Sequence, residues 1–505
     1  MPPLEKRSGE TGGEALSCFS IKALRIRRTD ILLRPDQNRV VLRPLRFSTK
    51  QEHAEIIHRA LALEEKDVER YAGHVVADFS SRHRNLTERL LKRFRQLEVY
   101  LPPGSEISEA RKILIGSYFM YEYSAEAAAL FNPSIIPHPH QSGLPPGSLR
   151  FLMSLRSTGE GHISSIAFRS GVIDARNSIL VDPASRFLSE PELIENPTYN
   201  KELFWRKLYD MGLVGEWSRR AMYGLGDSFT LTELRDRLRE TLNQTAPGRK
   251  FDEDPTAGGM WLLAKSNYEI SFPPDQELSE RIIFPVIATQ SNGIEDVRLT
   301  ALEDDEGKTV YYATYTAYDG RNVLPQLFVT EDFRQFKFVT LNGPGIQNKG
   351  MALFPRKING RFAMLSRQDG ENIFLMYSDN VHFWYEAQIL LRPTYPWELL
   401  KLGNCGSPIE TEAGWLVLSH GVGPMRQYCL GAFLLDRDDP SQVIGRLREP
   451  LMCPEGIERE GYVPNVLYTC GALLRAGQII LPYGISDRVT GFAMISLKEI
   501  LAAMT

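Results

Sequence analysis

The sequence predicts a mainly β protein, a five-bladed β-propeller with an N-terminal α-rich extension and a helical insertion between blades one and two. The first observation is a short apolar strand whose later copies start at Val310, Arg361, Gly414 and Gln478, which lie 51, 53 and 64 residues apart. The second observation is that another strand follows each copy. Strand-pair repeats of roughly 40–50 residues are typical of β-propellers, so five copies predict five blades.

The copies of the repeated strand end in residues that differ in chemistry. The copies span residues 150–156, 310–315, 361–367, 414–420 and 478–483, and the last runs on to residue 487. Their ends carry Arg156, Tyr315, Arg367, His420 and Asp487. Because propeller blades surround one axis, equivalent strand ends converge on one pocket. The repeat therefore predicts a scaffold, and its ends predict a site.

The N-terminal part has a different pattern. Residues 1–20 are rich in Gly, Glu and Ser and predict a disordered tail. Residues 21–47 hold two β-branched runs around a Pro-Asp turn signal and predict a hairpin. Apolar residues at helical spacing in 50–98, and again in 107–129, predict helices. We therefore divide the chain into the tail, a hairpin plus helical region over 21–128, and a propeller domain over 129–505.

One interval in the repeat is anomalous. The first and second copies, at Arg150 and Val310, start 160 residues apart. The excess predicts an insertion at about 186–258, with helices over 202–212, 216–223 and 231–242. An insertion beside a pocket can set substrate length. The helical regions are also the candidate contact surface of a homo-oligomer.

Composition and charge exclude several classes of protein. Hydrophobic content of 43% and charged content of 24% are ordinary for a soluble globular protein. A net charge of −4 gives no electrostatic basis for binding nucleic acid or an anionic membrane. No apolar run reaches the length of a membrane span or of a signal peptide core, which predicts a cytoplasmic protein.

The five cysteines give no metal motif. They lack CxxC spacing and predict reduced, mostly buried thiols. Metal ligation by Cys429 and Cys453 is a disfavoured alternative, and we expect no metal.

Two adjacent carboxylates, Glu295 and Asp296, precede the second copy of the repeat. Neighbouring side chains of an extended chain point to opposite faces. One carboxylate is therefore expected to face the pocket while the other pairs with Arg298 or caps a turn. An acidic surface turn is the plain alternative.

Three cationic or hydrogen-donating residues occupy related positions in the third and fourth repeats. Arg367 and His420 end equivalent strands, and Lys349 lies just upstream in the third repeat. Such a trio favours an oxyanion site, and phosphate matches it best. Aromatic residues beside the strand ends suit the faces of a sugar ring, although packing between blades explains any single one equally well.

Several motifs in the same order resemble those of glycoside hydrolase family 130, the mannoside phosphorylases and related mannosidases. The resemblance covers about 129–185 and 259–505. The motifs are Phe-Asn-Pro-Ser at 131–134, Asn-Gly-Ile-Glu-Asp-Val-Arg at 292–298, Tyr-Thr-Ala-Tyr-Asp-Gly at 315–320, Asn-Lys at 348–349, Leu-Phe-Pro at 353–355, Ser-Arg at 366–367, Ser-His-Gly at 419–421, Leu-Leu-Asp at 434–436, Asn-Val at 465–466 and Tyr-Gly at 483–484 with Asp487. The family fold is a five-bladed propeller.

The resemblance implies roles for individual residues. Asp296 matches the family's general acid, which acts through a hydroxyl of the mannosyl ring. The implied phosphate-binding residues are Lys349, Arg367 and His420, and the implied mannosyl-binding residues are Asn132, Ser134 and Asp487. We add Arg156, Glu295, Arg298, Tyr315 and Asp319 as candidate substrate-binding residues. Val297, Gly350 and Ser366 depart from the family's usual Pro, Asp and His, which bears on sugar specificity more than on the reaction class.

The predicted function is inverting, reversible phosphorolysis of β-mannosides to α-mannose 1-phosphate and a shortened sugar. Its partners are a β-linked manno-oligosaccharide and inorganic phosphate, which is a co-substrate, and no cofactor is expected. A phosphorylase needs cations to position phosphate, whereas a hydrolase needs a second carboxylate to activate water. A β-mannosidase of the same family is the main alternative, and a non-catalytic glycan-binding propeller is a third.

Overall fold

The structure is a computed structural model that describes residues 24–45, 47–102, 104–303 and 306–505. The predicted tail at 1–20 lies outside the described residues. The described chain is mainly β, with helices concentrated near the N-terminus and between residues 201 and 266. In these ranges, no helix has both the length and the apolar character that crossing a bilayer requires.

Several helices begin where the sequence supplies capping residues. Thr49 with Glu52, and Thr230 with Glu233, form reciprocal capping boxes, and Asp254 caps a helix that has Pro255 in its first turn. The helices are α1 (Lys50–Leu61), α2 (Glu65–Phe79), α3 (Leu86–Leu97), α4 (Glu109–Tyr118), α5 (Lys201–Asp210), α6 (Glu216–Met222), α7 (Leu231–Thr245), α8 (Pro255–Ser266) and α9 (Leu497–Ala503).

The strands fall mostly between residues 120 and 496. They are β1 (Ile26–Leu33), β2 (Val40–Pro44), β3 (Met120–Ser124), β4 (Ala129–Pro137), β5 (Leu149–Thr158), β6 (Ser164–Ile173), β7 (Ile179–Val181), β8 (Glu192–Leu193), β9 (Thr198–Asn200), β10 (Ser228–Thr230), β11 (Tyr268–Ser271), β12 (Ile282–Ile283), β13 (Gly293–Glu303), β14 (Thr309–Tyr318), β15 (Val323–Thr330), β16 (Gln335–Thr340), β17 (Lys349–Leu353), β18 (Phe362–Arg367), β19 (Ile373–Ser378), β20 (Ala387–Leu391), β21 (Lys401–Asn404), β22 (Ile409–Thr411), β23 (Gly414–Val422), β24 (Tyr428–Leu435), β25 (Val443–Arg446), β26 (Leu467–Tyr468), β27 (Leu473–Arg475), β28 (Gln478–Ile485) and β29 (Val489–Ser496).

Most strands belong to five antiparallel strand groups, which we number in chain order. Each contains one copy of the repeated strand. The groups are β4-β5-β6-β7, β13-β14-β15-β16, β17-β18-β19-β20, β21-β23-β24-β25 and β26-β28-β29-β1. In every group the repeated strand is the second member. The sequence analysis identified the strand that follows each copy, and the structure adds a shorter or less regular strand that precedes it each time.

Neighbouring strand groups contact one another in chain order. The first and second groups are joined by a parallel pairing of Gly293 with Ser164, although their repeated strands start 160 residues apart. Strand β13 contacts β4 and β17, β17 contacts β21, and β24 contacts β26. Strand β28 of the fifth group returns to contact β4 of the first. The first strands of the first four groups therefore contact one another in turn.

The predicted N-terminal hairpin is wrong. Strand β1 pairs with β29 near the C-terminus, Ile26 opposite Ile495, while β2 pairs with β3. The turn signal between the two runs is local, and it cannot reveal that the edge of β29 offers unpaired backbone groups. The predicted helix over 107–129 is also too long, because α4 ends at Tyr118 and an aromatic-rich segment continues as β3.

The insertion has its own apolar core. Phe204, Leu208, Leu234, Leu238 and Met260 are buried together. Helices α5, α6 and α7 correspond to the three predicted helices, and α8 extends the helical segment to residue 266. The division into domains, the homo-oligomer and the cytoplasmic location stay predictions.

Two cysteines predicted to be reduced form a disulfide. Cys429 is bonded to Cys453, which also removes the alternative of a metal site there. An antiparallel bridge between Leu430 and Met452 places the two cysteines opposite each other, although 24 residues separate them in sequence. Cys405 and Cys470 are buried free thiols, as predicted.

Candidate functional site

Two buried polar residues meet where the first and second strand groups contact. Asp296 lies at a bulge in β13 and Asn132 at a bulge in β4. Both have left-handed backbone conformations, with φ of 54° and 49°. The Asn132 side-chain amide donates to Asp296 Oδ1 over 2.7 Å. Bulges redirect side chains beside active sites, and here they turn two residues from neighbouring strands toward each other.

The bulge in β13 lets both adjacent carboxylates reach one arginine. Arg156 lies 2.6 Å from Glu295 Oε1 through one terminal nitrogen and 3.6 Å from Asp296 Oδ1 through the other. The expectation that one carboxylate would pair with Arg298 is therefore wrong. The alternation rule on which it rested applies to regular strands, and the register shifts between Glu295 and Arg298.

Arg298 and Ser134 are buried and support the backbone of the site. The Arg298 guanidinium donates to the carbonyl oxygens of Asp296 and Cys405 and to the Tyr468 hydroxyl, over 2.6–2.9 Å. Ser134 Oγ accepts from the Leu299 amide over 3.0 Å. Both residues tie β13 to its neighbours, and their contacts hold Asp296 in place.

The electrostatic surroundings keep Asp296 ionised. Burial by itself raises the pKa of this carboxyl, but Arg156, Lys349, Arg298 and the Asn132 hydrogen bond together hold the pKa below its usual value. The site therefore contains a carboxylate with cations around it.

A second polar cluster comes from the third and fourth strand groups. Lys349, the first residue of β17, is paired in register with Arg367, the last residue of β18. The Arg367 guanidinium lies 2.8 Å from His420 Nε2. Burial, followed by the charges of Arg367 and Arg298, lowers the pKa of His420 well below its usual value. His420 is therefore neutral and accepts a hydrogen bond from Arg367.

Gly403 makes the contact between Arg367 and His420 possible. A Cβ atom at this glycine would lie 2.5 Å from the His420 ring and 3.0 Å from Arg367 Cδ. Any side chain there would separate the two residues.

Lys401 is a further cation that the sequence analysis missed. It begins β21 as Lys349 begins β17, and burial together with Arg367 and Lys349 lowers its pKa. The signal for it was its position, because Lys401 and Lys349 each begin the strand that precedes a repeated strand in its strand group. Across the described ranges, no ion pair joins Lys349, Arg367 or Lys401 to a carboxylate.

Asp487 completes the acidic side of the site. It lies in the turn between β28 and β29 with φ of 50°. Burial raises its pKa to about 6; the carboxylates of Asp296 and Glu295 act in the same direction, and Arg156 opposes them. Asp487 therefore lies within electrostatic reach of both carboxylates.

Comparison with known proteins places this site in a family. The sequence profile of the family described as beta-1,4-mannooligosaccharide phosphorylase matches residues 267–505. The 1,2-beta-oligomannan phosphorylase of Thermoanaerobacter sp. is 35% identical over 50% of this chain and 85% of its own length. The beta-1,2-mannobiose phosphorylase of the same strain is 32% identical over 56% of this chain and 93% of its own length. The chain belongs to glycoside hydrolase family 130.

A solved structure is also similar to this chain. The beta-1,2-mannobiose phosphorylase from Listeria innocua, in complex with beta-1,2-mannobiose, aligns with a TM-score of 0.45 and 21% identity. The alignment covers 74% of this chain and 92% of that chain.

The family profile covers only part of the site. Asp296, Lys349, Arg367, His420 and Asp487 lie within the matched range. Asn132 and Arg156 precede it, yet both contact Asp296. The site of this family member is therefore assembled from segments on both sides of the helical insertion.

Two predicted substrate-binding residues have their polar groups hydrogen-bonded within the protein. Tyr315 is buried in an apolar core, where its hydroxyl donates to Gln326 over 2.6 Å and accepts from Gln290. The Asp319 carboxylate accepts from the backbone amides of Arg321 and Asn322, which lowers its pKa to about 2. Tyr315 thus stabilises the core, where its hydroxyl is hydrogen-bonded to two glutamines. Asp319 caps a turn, because its carboxylate accepts hydrogen bonds from the backbone of that turn.

Proposed function

We propose that this chain catalyses the inverting, reversible phosphorolysis of β-mannosides, producing α-mannose 1-phosphate and a shortened sugar. The observation that carries the proposal is the juxtaposition of a buried carboxylate group, centred on Asp296, with cations that have no carboxylate partner in the described chain. Related phosphorylases of β-linked mannosides support the same reaction.

The proposal includes the architecture. We interpret the five strand groups as the five blades of a propeller, with β1 closing the fifth blade beside β29. The contacts from each group to the next, and from the last to the first, support this arrangement. It gives the acid and the cations positions around a common axis.

The cations are suited to an anion of several oxygens. Arg367 is buried, and its Nε atom has no hydrogen-bond partner in the described structure. Buried charges without partners are costly, so the cluster is poised to bind an anion. Phosphate accepts charge-assisted hydrogen bonds from the arginine, from Lys349 and from Lys401. Neutral His420 accepts a hydrogen bond from the Arg367 guanidinium, which fixes the orientation of that group.

Phosphate binding also prepares the acid. Lys349 is one of the groups that depress the pKa of Asp296. A phosphate dianion beside Lys349 offsets that charge and raises the Asp296 pKa toward the value a proton donor needs. The proton then reaches the leaving oxygen through a mannosyl hydroxyl, as the family resemblance implies.

The stereochemistry follows from the two clusters. Phosphate held by the third and fourth groups attacks the anomeric carbon from one face, while the proton is delivered toward the other face. Displacement from opposite faces inverts a β-mannoside to an α-phosphate. Phosphate is already an anion, so positioning by cations replaces the general base of a hydrolase.

Product analysis tests the proposal against the β-mannosidase alternative. The enzyme is incubated with β-1,2- and β-1,4-linked manno-oligosaccharides, with and without inorganic phosphate, and the products are followed by ¹H and ³¹P NMR. We expect α-mannose 1-phosphate only when phosphate is present. Free mannose formed at equal rates in both buffers would refute phosphorolysis.

A further inference from the structure

An exposed aromatic pair lies beside the site and has no role in the chemistry above. The rings of His162 and Tyr462 are stacked, with centroids 5.5 Å apart and planes inclined by 27°. The Tyr462 hydroxyl lies 3.1 Å from His162 Nδ1. Tyr462 nevertheless keeps 55% of its surface exposed to solvent. The pair is therefore fixed in orientation by its own contacts while its outer face stays open.

His162 occupies a turn position equivalent to that of Asp487. Gly161 and His162, between β5 and β6, have φ of 65° and 59°, and Ser486 and Asp487, between β28 and β29, have φ of 45° and 50°. Turns with two positive φ values suit the twist of hairpins, but residues other than Gly, Asn and Asp adopt them at a cost. A histidine held in this conformation is thus directed to the same rim as Asp487.

Tyr462 is held next to Asp487 by close backbone packing. A Cβ atom on the preceding residue, Gly461, would lie 2.5 Å from Ser486 Cβ. The Val463 amide also donates to the Ser486 carbonyl over 3.0 Å. The segment that carries Tyr462 therefore follows the backbone of the Asp487 turn.

The pair comes from strand groups other than the two that carry the phosphate cations. The cations come from the third and fourth strand groups, whereas His162 belongs to the first group and Tyr462 leads into the fifth. In an inverting displacement, the nucleophile and the leaving group occupy opposite faces of the anomeric carbon. The leaving sugar is consequently expected on the side of the first and fifth groups.

We propose that the His162–Tyr462 pair is the platform for the leaving sugar, which is the acceptor sugar when the reaction runs backwards. The inference rests on the proposed phosphorolysis. An aromatic face packs against the apolar C–H face of a pyranose ring, and a polar edge beside it meets the hydroxyl groups. The pair is then a positioning device for the second sugar, with no part in proton transfer or phosphate binding.

The test separates the acceptor from the other substrates. Tyr462→Ala, Tyr462→Phe and Tyr223→Ala are assayed in the synthetic direction, varying a mannose acceptor and mannose 1-phosphate separately, and in phosphorolysis with varied phosphate. Tyr223 is a matched control, since it is 79% exposed and lies in the insertion. We expect Tyr462→Ala to raise the acceptor KM by about two- to tenfold. The KM values for phosphate and mannose 1-phosphate should stay within about twofold of wild type, the change that packing differences alone produce.

The other variants decide between a ring contact and a hydrogen-bond effect. Tyr462→Phe keeps the ring and loses the hydroxyl, so its acceptor KM should stay close to that of wild type, as should that of Tyr223→Ala. An unchanged acceptor KM in Tyr462→Ala would refute the platform. A parallel rise in the phosphate KM would also refute it, because it would indicate a general disturbance of the site.

Failure of the proposed reaction is distinguishable from failure of the platform. If wild type forms no mannose 1-phosphate, the proposed phosphorolysis is wrong. The platform is then tested by calorimetric titration of wild type and Tyr462→Ala with β-mannobiose. Weaker binding by the variant in that titration supports the platform, and equal binding refutes it.

Discussion

Replacing Asp487 by asparagine is expected to stabilise the protein at neutral pH while impairing its activity. Surroundings that disfavour ionisation raise the pKa of Asp487 to about 6 in the folded state, against about 3.9 for an aspartate in an unfolded chain. The folded protein therefore binds a proton between pH 4 and 6 that the unfolded chain has lost. Stability falls as the pH rises through this window, and the loss remains in full above it.

The size of the effect follows from the difference in pKa. A difference of about 2 pKa units corresponds to about 3 kcal/mol, since one unit is worth 1.36 kcal/mol. Because the side chain is partly exposed to solvent, we expect a measured gain of about 1–3 kcal/mol for Asp487→Asn at pH 7. At pH 4 the wild-type carboxyl is protonated in the folded state, and the gain should be close to zero.

The difference in the free energy of unfolding is measured by urea unfolding of wild type and Asp487→Asn. The measurements run from pH 4 to pH 8 in buffers without phosphate or sugar. Asp319→Asn is the control of opposite sign, because turn hydrogen bonds lower the Asp319 pKa to about 2. That variant should be less stable than wild type at pH 7, with the difference narrowing as the pH falls toward 2. A gain for Asp487→Asn that does not depend on pH, or a loss of stability at pH 7, would refute the electrostatic reasoning.

Four further predictions concern the two clusters and the disulfide. Asp296→Asn should lower turnover by about 10²–10⁴-fold with the fold intact, and near-normal steady-state rates on oligosaccharides would place the acid elsewhere. Arg367→Ala should raise the phosphate KM by roughly ten- to more than a hundredfold, with a much smaller change in the mannoside KM, and equal effects on both would contradict its assignment to phosphate. Gly403→Ala should also raise the phosphate KM without removing a charge, since its Cβ would press on the Arg367 side chain; an unchanged KM would show that the cluster tolerates the displacement. Cys429→Ser should lower the free energy of unfolding by about 3 kcal/mol for the 24-residue loop closed with Cys453, and dithiothreitol should produce the same loss in wild type but none in the variant.

The repeat and most of the chemical groups of the candidate site can be read from the amino-acid sequence alone. The repeated strand carries a short apolar run and a chemically distinct end, and both can be read from the local sequence without knowing which strands pair. Arg367, His420 and Asp487 were found in this way. The motif around Asp296 is likewise contiguous, and its residue types identify the family.

Which side chains contact one another depends on the tertiary structure. The bulge in β13 brings Glu295 and Asp296 to one arginine, and a shift of a single residue in register is enough to turn a side chain to the opposite face of a sheet. Register also decides the position of Tyr315, whose side chain lies on the face of its strand that packs in the apolar core.

Contacts between distant segments were equally beyond the sequence. Strand β1 pairs with β29, and Cys429 is bonded to Cys453. In both cases the local sequence of one segment does not indicate which distant segment it contacts. Lys401 acquires its role because its strand lies beside that of Lys349. Local sequence thus specifies strands and turns, whereas register and the packing of neighbouring groups specify the electrostatic field in which Asp296 and His420 act.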